Sequence, residues 1–158
     1  MQRHIIIVTG AAGILGSALT VDLSRDHSIV AIDRRKPGRA LLDAAPQVEW
    51  HQVDISERTA LSDLFENTRK RYGRIDFVVH LAAFYHFDLD WHPEYERTNV
   101  GGTSNVVRLA SNIPPMASLW ISTASTRPAP ATVSIRANSP ALMPSRVRPL
   151  RLSWRAPG

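Results

Sequence analysis

Three glycines at intervals of three residues could bind the phosphates of a dinucleotide. Gly10, Gly13 and Gly16 follow the apolar run "IIIV" and open a stretch with helical spacing, which is the context that such a pattern requires. Gly10 would make a tight turn, Gly13 would let backbone amides approach a pyrophosphate, and Gly16 would allow close packing of the helix. The helix N-terminus would add partial positive charge. A turn with a purely structural role is the alternative.

A carboxylate follows at the end of the next apolar run. Asp33 lies about twenty residues after the glycines, where a carboxylate can accept the ribose hydroxyls of an adenosine and would repel a 2′-phosphate. It therefore favours NAD over NADP. Arg34 and Arg35 leave that choice open, because an adjacent guanidinium could accommodate the phosphate. A solvated loop carboxylate is the alternative interpretation of Asp33.

These groups need strands that end together at one edge of a sheet. Apolar runs suited to strands buried on both faces occur five times, as "HIIIVT", "SIVAID", "VEWHQV", "DFVVHLA" and "ASLWIS". Helical spacing lies between them, at Leu15, Leu19 and Leu23, at Leu61, Leu64 and Phe65, and at Val106, Val107, Leu109 and Ala110. The alternation predicts an α/β fold with a parallel sheet covered on both faces. Such a sheet binds ligands at the carboxyl ends of its strands.

Composition divides the chain into two parts. The 158 residues, 44% of them hydrophobic, can bury one core, so one folded domain is expected. Residues 1–96 hold 11 Lys and Arg against 14 Asp and Glu, whereas residues 97–158 hold eight Arg and no acidic residue. There is no cysteine, which excludes disulfides and thiolate metal sites. The N-terminal apolar run is too short for a signal peptide or a membrane span, so we expect a cytoplasmic protein without membrane contact.

Histidines recur every six residues in the middle of the chain. His80, His86 and His92 share no helix face at this spacing and match no metal-binding pattern, so we predict no metal site. Phe87, Trp91 and Tyr95 nearby are expected to pack around a loop. Contact with a substrate is the alternative for these three aromatic residues.

The spacing TGxxGxxG resembles the short-chain dehydrogenase/reductase superfamily, and four later motifs resemble its extended branch of NAD-dependent epimerases, dehydratases and 3β-hydroxysteroid-dehydrogenase-like proteins. These motifs are "VDIS", "HLAAFY", "TNVGGTSNVV" and "ISTAS". The resemblance covers about residues 1–122 and implies a Rossmann-like doubly wound sheet, truncated here after about five strands. It also implies that Asp54 binds the adenine amino group and that Ile55 packs on the adenine ring.

The resemblance assigns further residues to the cofactor and the reaction. Asn99 would fix the strand beside the nicotinamide, and Thr123 would be the catalytic hydroxyl that polarises a substrate carbonyl or hydroxyl. The residues expected to contact the cofactor are Thr9, Gly10, Gly13, Ile14, Leu15, Gly16, Asp33, Arg34, Asp54, Ile55, Leu81, Ala82, Ala83, Asn99 and Ser122. The cofactor expected is NAD.

The family pattern stops after "ISTAS". The family continues with Tyr-x-x-x-Lys, in which the Tyr is the general acid or base and the Lys lowers its pKa. None of Tyr72, Tyr85 and Tyr95 has a lysine four residues later, and the last lysine is Lys70. We therefore divide the chain into a cofactor-binding domain at 1–125 and a basic tail at 126–158, rich in proline and arginine, without an expected core. We hypothesise that this tail is disordered or an out-of-frame reading of a longer gene.

These observations predict a catalytically inactive NAD(P)-binding fragment whose ancestral chemistry is hydride transfer on a sugar, a sterol or a similar compound. A small-molecule substrate is expected only for a full-length form. A non-catalytic dinucleotide sensor is the second possibility. A tail that binds nucleic acid is the third, and it is disfavoured because the arginines lack interleaved aromatic residues. The fifth strand would form an open sheet edge, which favours dimerisation or aggregation.

Overall fold

The computed structural model describes residues 3–86 and 91–113 in full, and residues 118–121 by their backbone. The predictions for Ser122, Thr123 and the basic tail lie outside these described residues. The predicted α/β architecture is confirmed: strands and helices alternate along the described part of the chain.

Five strands form one parallel sheet in the order β3-β2-β1-β4-β5. They are β1 (Ile5–Thr9), β2 (Ser28–Asp33), β3 (Glu49–Gln52), β4 (Phe77–His80) and β5 (Ser118–Ile121). Each strand falls within one of the five predicted apolar runs. The order reverses between β1 and β4, which makes their carboxyl ends the switch point where doubly wound sheets bind ligands.

Four α-helices and one π-helix connect the described strands. They are α1 (Ile14–Leu23), α2 (Arg39–Ala44), α3 (Arg58–Tyr72), the π-helix (Tyr95–Gly102) and α4 (Thr103–Ser111). Helical spacing in the sequence predicted α1, α3 and α4. It did not predict α2 or the π-helix, which leads directly into α4.

The core lies on both faces of the sheet. Successive residues of β1 point to opposite sides, so Ile7 packs in one buried cluster and Ile6 and Val8 pack in the other. The first cluster includes Leu61, Leu64 and Phe65 of α3 and Val106 and Ala110 of α4. On the other face, Val21 and Leu23 of α1 pack against the second cluster. The central strands are therefore apolar at nearly every position, as the sequence pattern indicated.

The fifth strand lies at an edge of the described sheet. β5 pairs with β4 from Phe77↔Ser118 to His80↔Ile121. Association of two chains through this edge stays a prediction. None of the helices in the described ranges combines the length and the apolar character needed to cross a membrane.

Candidate functional site

The turn between β1 and α1 is packed at backbone distance. Gly10 has φ +70, and a Cβ on it would lie 2.6 Å from the backbone nitrogen of Ala82. A Cβ on Gly16 would overlap the carbonyl oxygen of Gly10. The strand, the first turn of the helix and the chain after β4 therefore meet without room for side chains. The tight turn predicted at Gly10 and the close helix packing predicted at Gly16 are both present.

The first turn of α1 offers backbone amides to a ligand. Gly13 is the N-cap, and no side chain caps the helix. The Gly13 amide donates to the Gly10 carbonyl at 3.0 Å, and the next such bond runs from Ser17 N to the Gly13 carbonyl at 2.8 Å. The three amides between them, at residues 14–16, have no intrahelical acceptor, so they suit an anion. Ile14 and Leu15, which carry two of these amides, are 93% and 69% exposed.

The Asp33 carboxylate is held beside this turn. It is only 7% exposed, at the carboxyl end of β2. Its Oδ2 accepts a hydrogen bond from the Ala12 amide at 3.0 Å, and its Oδ1 accepts one from the Arg35 amide at 2.9 Å. The carboxylate is thus fixed next to the predicted phosphate site. This placement argues against the alternative of a solvated loop carboxylate.

A second carboxylate, Asp54, lies after β3. Its Oδ1 accepts hydrogen bonds from the Ser56 amide at 2.9 Å and the Ser56 hydroxyl at 2.8 Å, and its Oδ2 accepts one from Arg97 at 2.8 Å. Partial burial raises its pKa, but the Ser56 hydrogen bonds and the charges of Arg97 and Arg34 outweigh burial and lower the pKa overall. Asp54 is therefore a firmly ionised acceptor. Its predicted contact with the adenine amino group stays a prediction.

These elements enclose a cavity of about 770 Å³. Of the fifteen predicted cofactor-binding residues, twelve line it: Gly10, Gly13, Ile14, Leu15, Gly16, Asp33, Arg34, Asp54, Ile55, Leu81, Ala82 and Ala83. Arg35, considered in the sequence as a contact for a 2′-phosphate, also lines it. Sequence reasoning missed five lining residues: Ile32, Val53, Phe84, Tyr85 and Thr98. Phe84 and Tyr85 stand in the quoted motif "HLAAFY", so the motif could have indicated them. The cavity is large enough for a cofactor.

Thr9 lies behind the wall of the cavity and does not line it. Its Oγ1 lies 2.6 Å from Nδ1 of the buried His80 and accepts a hydrogen bond from the Ala82 amide at 3.3 Å. Nε2 of His80 lies 3.0 Å from Oγ1 of Thr103 on α4. If the Thr9 hydroxyl donates to Nδ1, the proton of a neutral imidazole is on Nε2 and is donated to Thr103. This chain of hydrogen bonds joins β1, β4 and α4.

Acid is expected to destabilise the fold through His80. Burial lowers its pKa from 6.5 to about 4, so the unfolded chain binds a proton more readily than the folded one. Neutral His80 therefore contributes its full stabilisation above about pH 6.5. This contribution to the free energy of unfolding is lost as the pH falls toward 4, and it is at most about 3 kcal/mol. Urea unfolding at pH 7, 6 and 5 measures this slope. His80→Asn should show a smaller slope, whereas equal slopes in the two proteins would contradict the assignment.

Asn99 fixes the chain beyond β4 rather than lining the cavity. From the π-helix, its Oδ1 accepts a hydrogen bond from the Phe84 amide at 2.7 Å, and its Nδ2 donates to the Phe84 carbonyl at 2.9 Å. One side chain therefore satisfies both backbone groups of Phe84. This places Asn99 next to the segment that follows β4, in keeping with its predicted positioning role.

Removing this amide should loosen the segment after β4. In Asn99→Ala both backbone groups of Phe84 lose their partner, at about 0.5–1.5 kcal/mol for each hydrogen bond. We expect amide exchange at Phe84, measured by NMR, to become at least about tenfold faster. Asn67→Ala, on the exposed face of α3, is the matched control and should leave Phe84 unchanged. Equal protection of Phe84 in both variants would rule out the positioning role.

The three regularly spaced histidines have separate environments. His80 is buried, whereas the rings of His86 and His92 stack with centroids 6.1 Å apart. The ring centroid of Phe84 lies 4.7 Å from that of His92 and 5.2 Å from that of Tyr95, so Tyr95 packs at this loop as predicted. Trp91 does not, since it is 72% exposed. Phe87 lies outside the described residues. Within the described ranges, no group of three or more His, Asp or Glu side chains could hold a metal ion.

Two curated relatives match about two thirds of the chain. An L-arabinose 1-dehydrogenase (NAD(P)(+)) of Haloferax volcanii is 37% identical over 105 residues, covering 66% of this chain and 35% of that protein. A dTDP-glucose 4,6-dehydratase of Neisseria gonorrhoeae is 36% identical over 115 residues, covering 66% of this chain and 32% of that protein. The chain thus spans about a third of the length of these curated relatives.

Solved structures share the fold. A short-chain dehydrogenase of Leptospira borgpetersenii with bound NAD⁺ superimposes with a TM-score of 0.54 at 20% identity, covering 69% of this chain and 45% of that one. This similarity confirms the predicted Rossmann-like sheet.

A family model, described as the NAD dependent epimerase/dehydratase family, matches residues 6–147. The match confirms the resemblance found in the sequence motifs, and the family's cofactor is the predicted NAD. The matched region also extends past residue 125, so the predicted boundary between the cofactor-binding domain and the basic tail stays a prediction. With about nine tenths of its residues matched, the chain belongs to the NAD-dependent epimerase/dehydratase family.

Proposed function

We propose that this chain binds NAD in the cavity at the carboxyl ends of β1, β2 and β4. The observation that carries the proposal is the buried Asp33 carboxylate beside the uncapped start of α1. A carboxylate that lies beside free helix amides matches a ribose and a pyrophosphate, which are also adjacent in the cofactor. The cavity of about 770 Å³ supplies the space.

The cofactor's adenosine half would lie over the ends of β2 and β3. Asp33 would accept the ribose hydroxyls and Asp54 the adenine amino group, with Ile55 below the ring. Ile55 is 4% exposed and lines the cavity, which supports a packing role. The chain from Leu81 to Ala83 lines the opposite side of the cavity and would contact the ribose and phosphates.

The bound cofactor supplies a hydride acceptor, but we propose that this chain turns over little or no substrate. The sequence offers Thr123 as a hydroxyl and has no Tyr-x-x-x-Lys. Loss of a general acid or base typically costs about 10²- to 10⁴-fold in rate. For a full-length form we propose a sugar or a similar hydroxyl compound as the substrate, because two relatives are a sugar dehydrogenase and a sugar-nucleotide dehydratase.

Calorimetric titration of the 158-residue chain tests the proposal. NAD⁺ should bind with one site per chain, ADP-ribose should compete for it, and NADP⁺ should bind more weakly. Circular dichroism of the same sample establishes that the protein is folded. A folded chain that shows no heat of binding with millimolar NAD⁺ would refute cofactor binding. Sustained hydride transfer from a sugar such as L-arabinose to NAD⁺ would refute the proposed inactivity.

A further inference from the structure

Two arginines stand where a 2′-phosphate would enter. Arg34 and Arg35 follow Asp33 directly, and both line the cavity. An arginine at this place can accommodate the phosphate that distinguishes NADP from NAD. The sequence alone therefore leaves the cofactor preference open, and the answer depends on what holds each guanidinium.

Glu94 holds Arg34. The Arg34 Nη1 lies 3.3 Å from Oε2 of Glu94, which is 60 residues further along the chain, at the N-cap of the π-helix. Glu94 is itself anchored, because its Oε1 accepts a hydrogen bond from Arg97 at 3.0 Å and its Oε2 accepts one from the Thr98 hydroxyl at 3.2 Å. The Arg97 hydrogen bond lowers the pKa of Glu94, so this carboxylate is ionised.

Arg35 contacts Asp33 and the backbone of Ala12. Its Nε lies 3.5 Å from Oδ1 of Asp33, and its Nη2 lies 3.5 Å from the Ala12 carbonyl oxygen. Each of the two guanidiniums therefore already faces an acidic side chain. A 2′-phosphate that approached either of them would meet two negative charges, those of Asp33 and Glu94.

We propose that Glu94 is a specificity-determining residue, which favours NAD over NADP by holding Arg34 away from the 2′-phosphate. The inference rests on the proposed binding of NAD in this cavity and adds a second determinant to Asp33. Asp33 acts by repelling the phosphate directly. Glu94 acts through Arg34, because the ion pair removes the cation that would otherwise attract the phosphate.

The test compares the dissociation constants of NAD⁺ and NADP⁺ for the full chain and its variants. Glu94→Gln keeps the shape and one acceptor oxygen but removes the negative charge that pairs with Arg34. We expect the ratio of the NADP⁺ to the NAD⁺ constant to fall by roughly five- to tenfold, the scale of one charge-assisted contact at a partly exposed site. Glu96→Gln is the matched control, since Glu96 is exposed on the same π-helix. It should leave the ratio unchanged.

Substitution of Arg34 shows whether Arg34 is the cation that attracts the 2′-phosphate. Adding Arg34→Gln to Glu94→Gln should restore the ratio of the original chain, whereas Arg34→Gln alone should barely change it. This non-additive pattern requires the pair and does not arise from general destabilisation. If the original chain binds NAD⁺ but Glu94→Gln leaves the ratio unchanged, this inference is wrong and the proposed function stands. If the folded original chain binds neither dinucleotide, both are wrong.

Discussion

Gly16→Ala is expected to lower the free energy of unfolding by about 3 kcal/mol or more, a large share of the roughly 5–15 kcal/mol that stabilises a native domain. The new Cβ would overlap the Gly10 carbonyl oxygen and lie 2.9 Å from the Cα of Ala11. Both neighbours are backbone atoms of a tight turn, so they cannot move aside as a flexible side chain would. Urea unfolding followed by circular dichroism measures the change.

The sign of this result separates packing from helix propensity. Gly16 lies inside α1, where alanine is intrinsically better than glycine by about 1 kcal/mol. Propensity alone therefore predicts stabilisation. Gly38→Ala is the control, because a Cβ there would meet nothing within 4 Å, and its effect should stay below about 1 kcal/mol. A neutral or stabilising Gly16→Ala would mean that the turn and the helix are not packed as described.

The largest effect on cofactor binding is expected from Asp33→Asn. Hydrogen bonds to a charged group contribute about 1.5–3 kcal/mol, so loss of the charge that accepts the ribose hydroxyls should weaken NAD⁺ binding by roughly 10- to 100-fold. NADP⁺ should lose less, because the carboxylate no longer repels its phosphate. Calorimetric titration with each dinucleotide measures both effects.

Asp33 also has a structural role that the experiment must separate from binding. An asparagine can still accept from either the Ala12 or the Arg35 amide, but its NH₂ group would face the other donor. The unfolding free energy of the variant should therefore be measured beside its affinity. Asp43→Asn on α2 is the matched control, since Asp43 is exposed and pairs with Arg39 at 3.0 Å. Equal NAD⁺ affinity in the two variants would exclude Asp33 from the ribose site.

The sequence signal was clearest for the two most deeply buried strands. β1 and β2 are buried along almost their whole length, so they read as uninterrupted apolar runs. In contrast, α2 has no buried residue and hence no apolar periodicity. The π-helix contains "TNVGG", which has poor helix propensity, and its hydrogen bonds do not follow the 3.6-residue period. Neither element leaves a signal that a periodicity search can find.

The residues of the site differ in how far apart they lie in the sequence. The glycines and Asp33 could be predicted because their roles depend on spacing within one short segment. The ion pairs of Glu94 with Arg34 and of Arg97 with Asp54 join residues 60 and 43 positions apart. Only the path of the chain through the unpredicted π-helix brings them together. Thr9 and Asn99 were predicted to contact the cofactor, but neither lines the cavity. Thr9 instead contacts His80 and the Ala82 amide, and Asn99 binds the backbone of Phe84.

The strand order also determines when the site can form during synthesis. β1 is the central strand, and its hydrogen-bonded contact Thr9 to His80 spans 71 residues. At the usual translation rate of about 5–20 residues per second, the ribosome needs roughly 4–14 s to deliver β4 after β1. Until then one edge of Ile6–Thr9 is open and able to pair with another chain, and Gly10 lacks its contact with Ala82. The nascent chain must therefore pass through an aggregation-prone stage before its cavity exists.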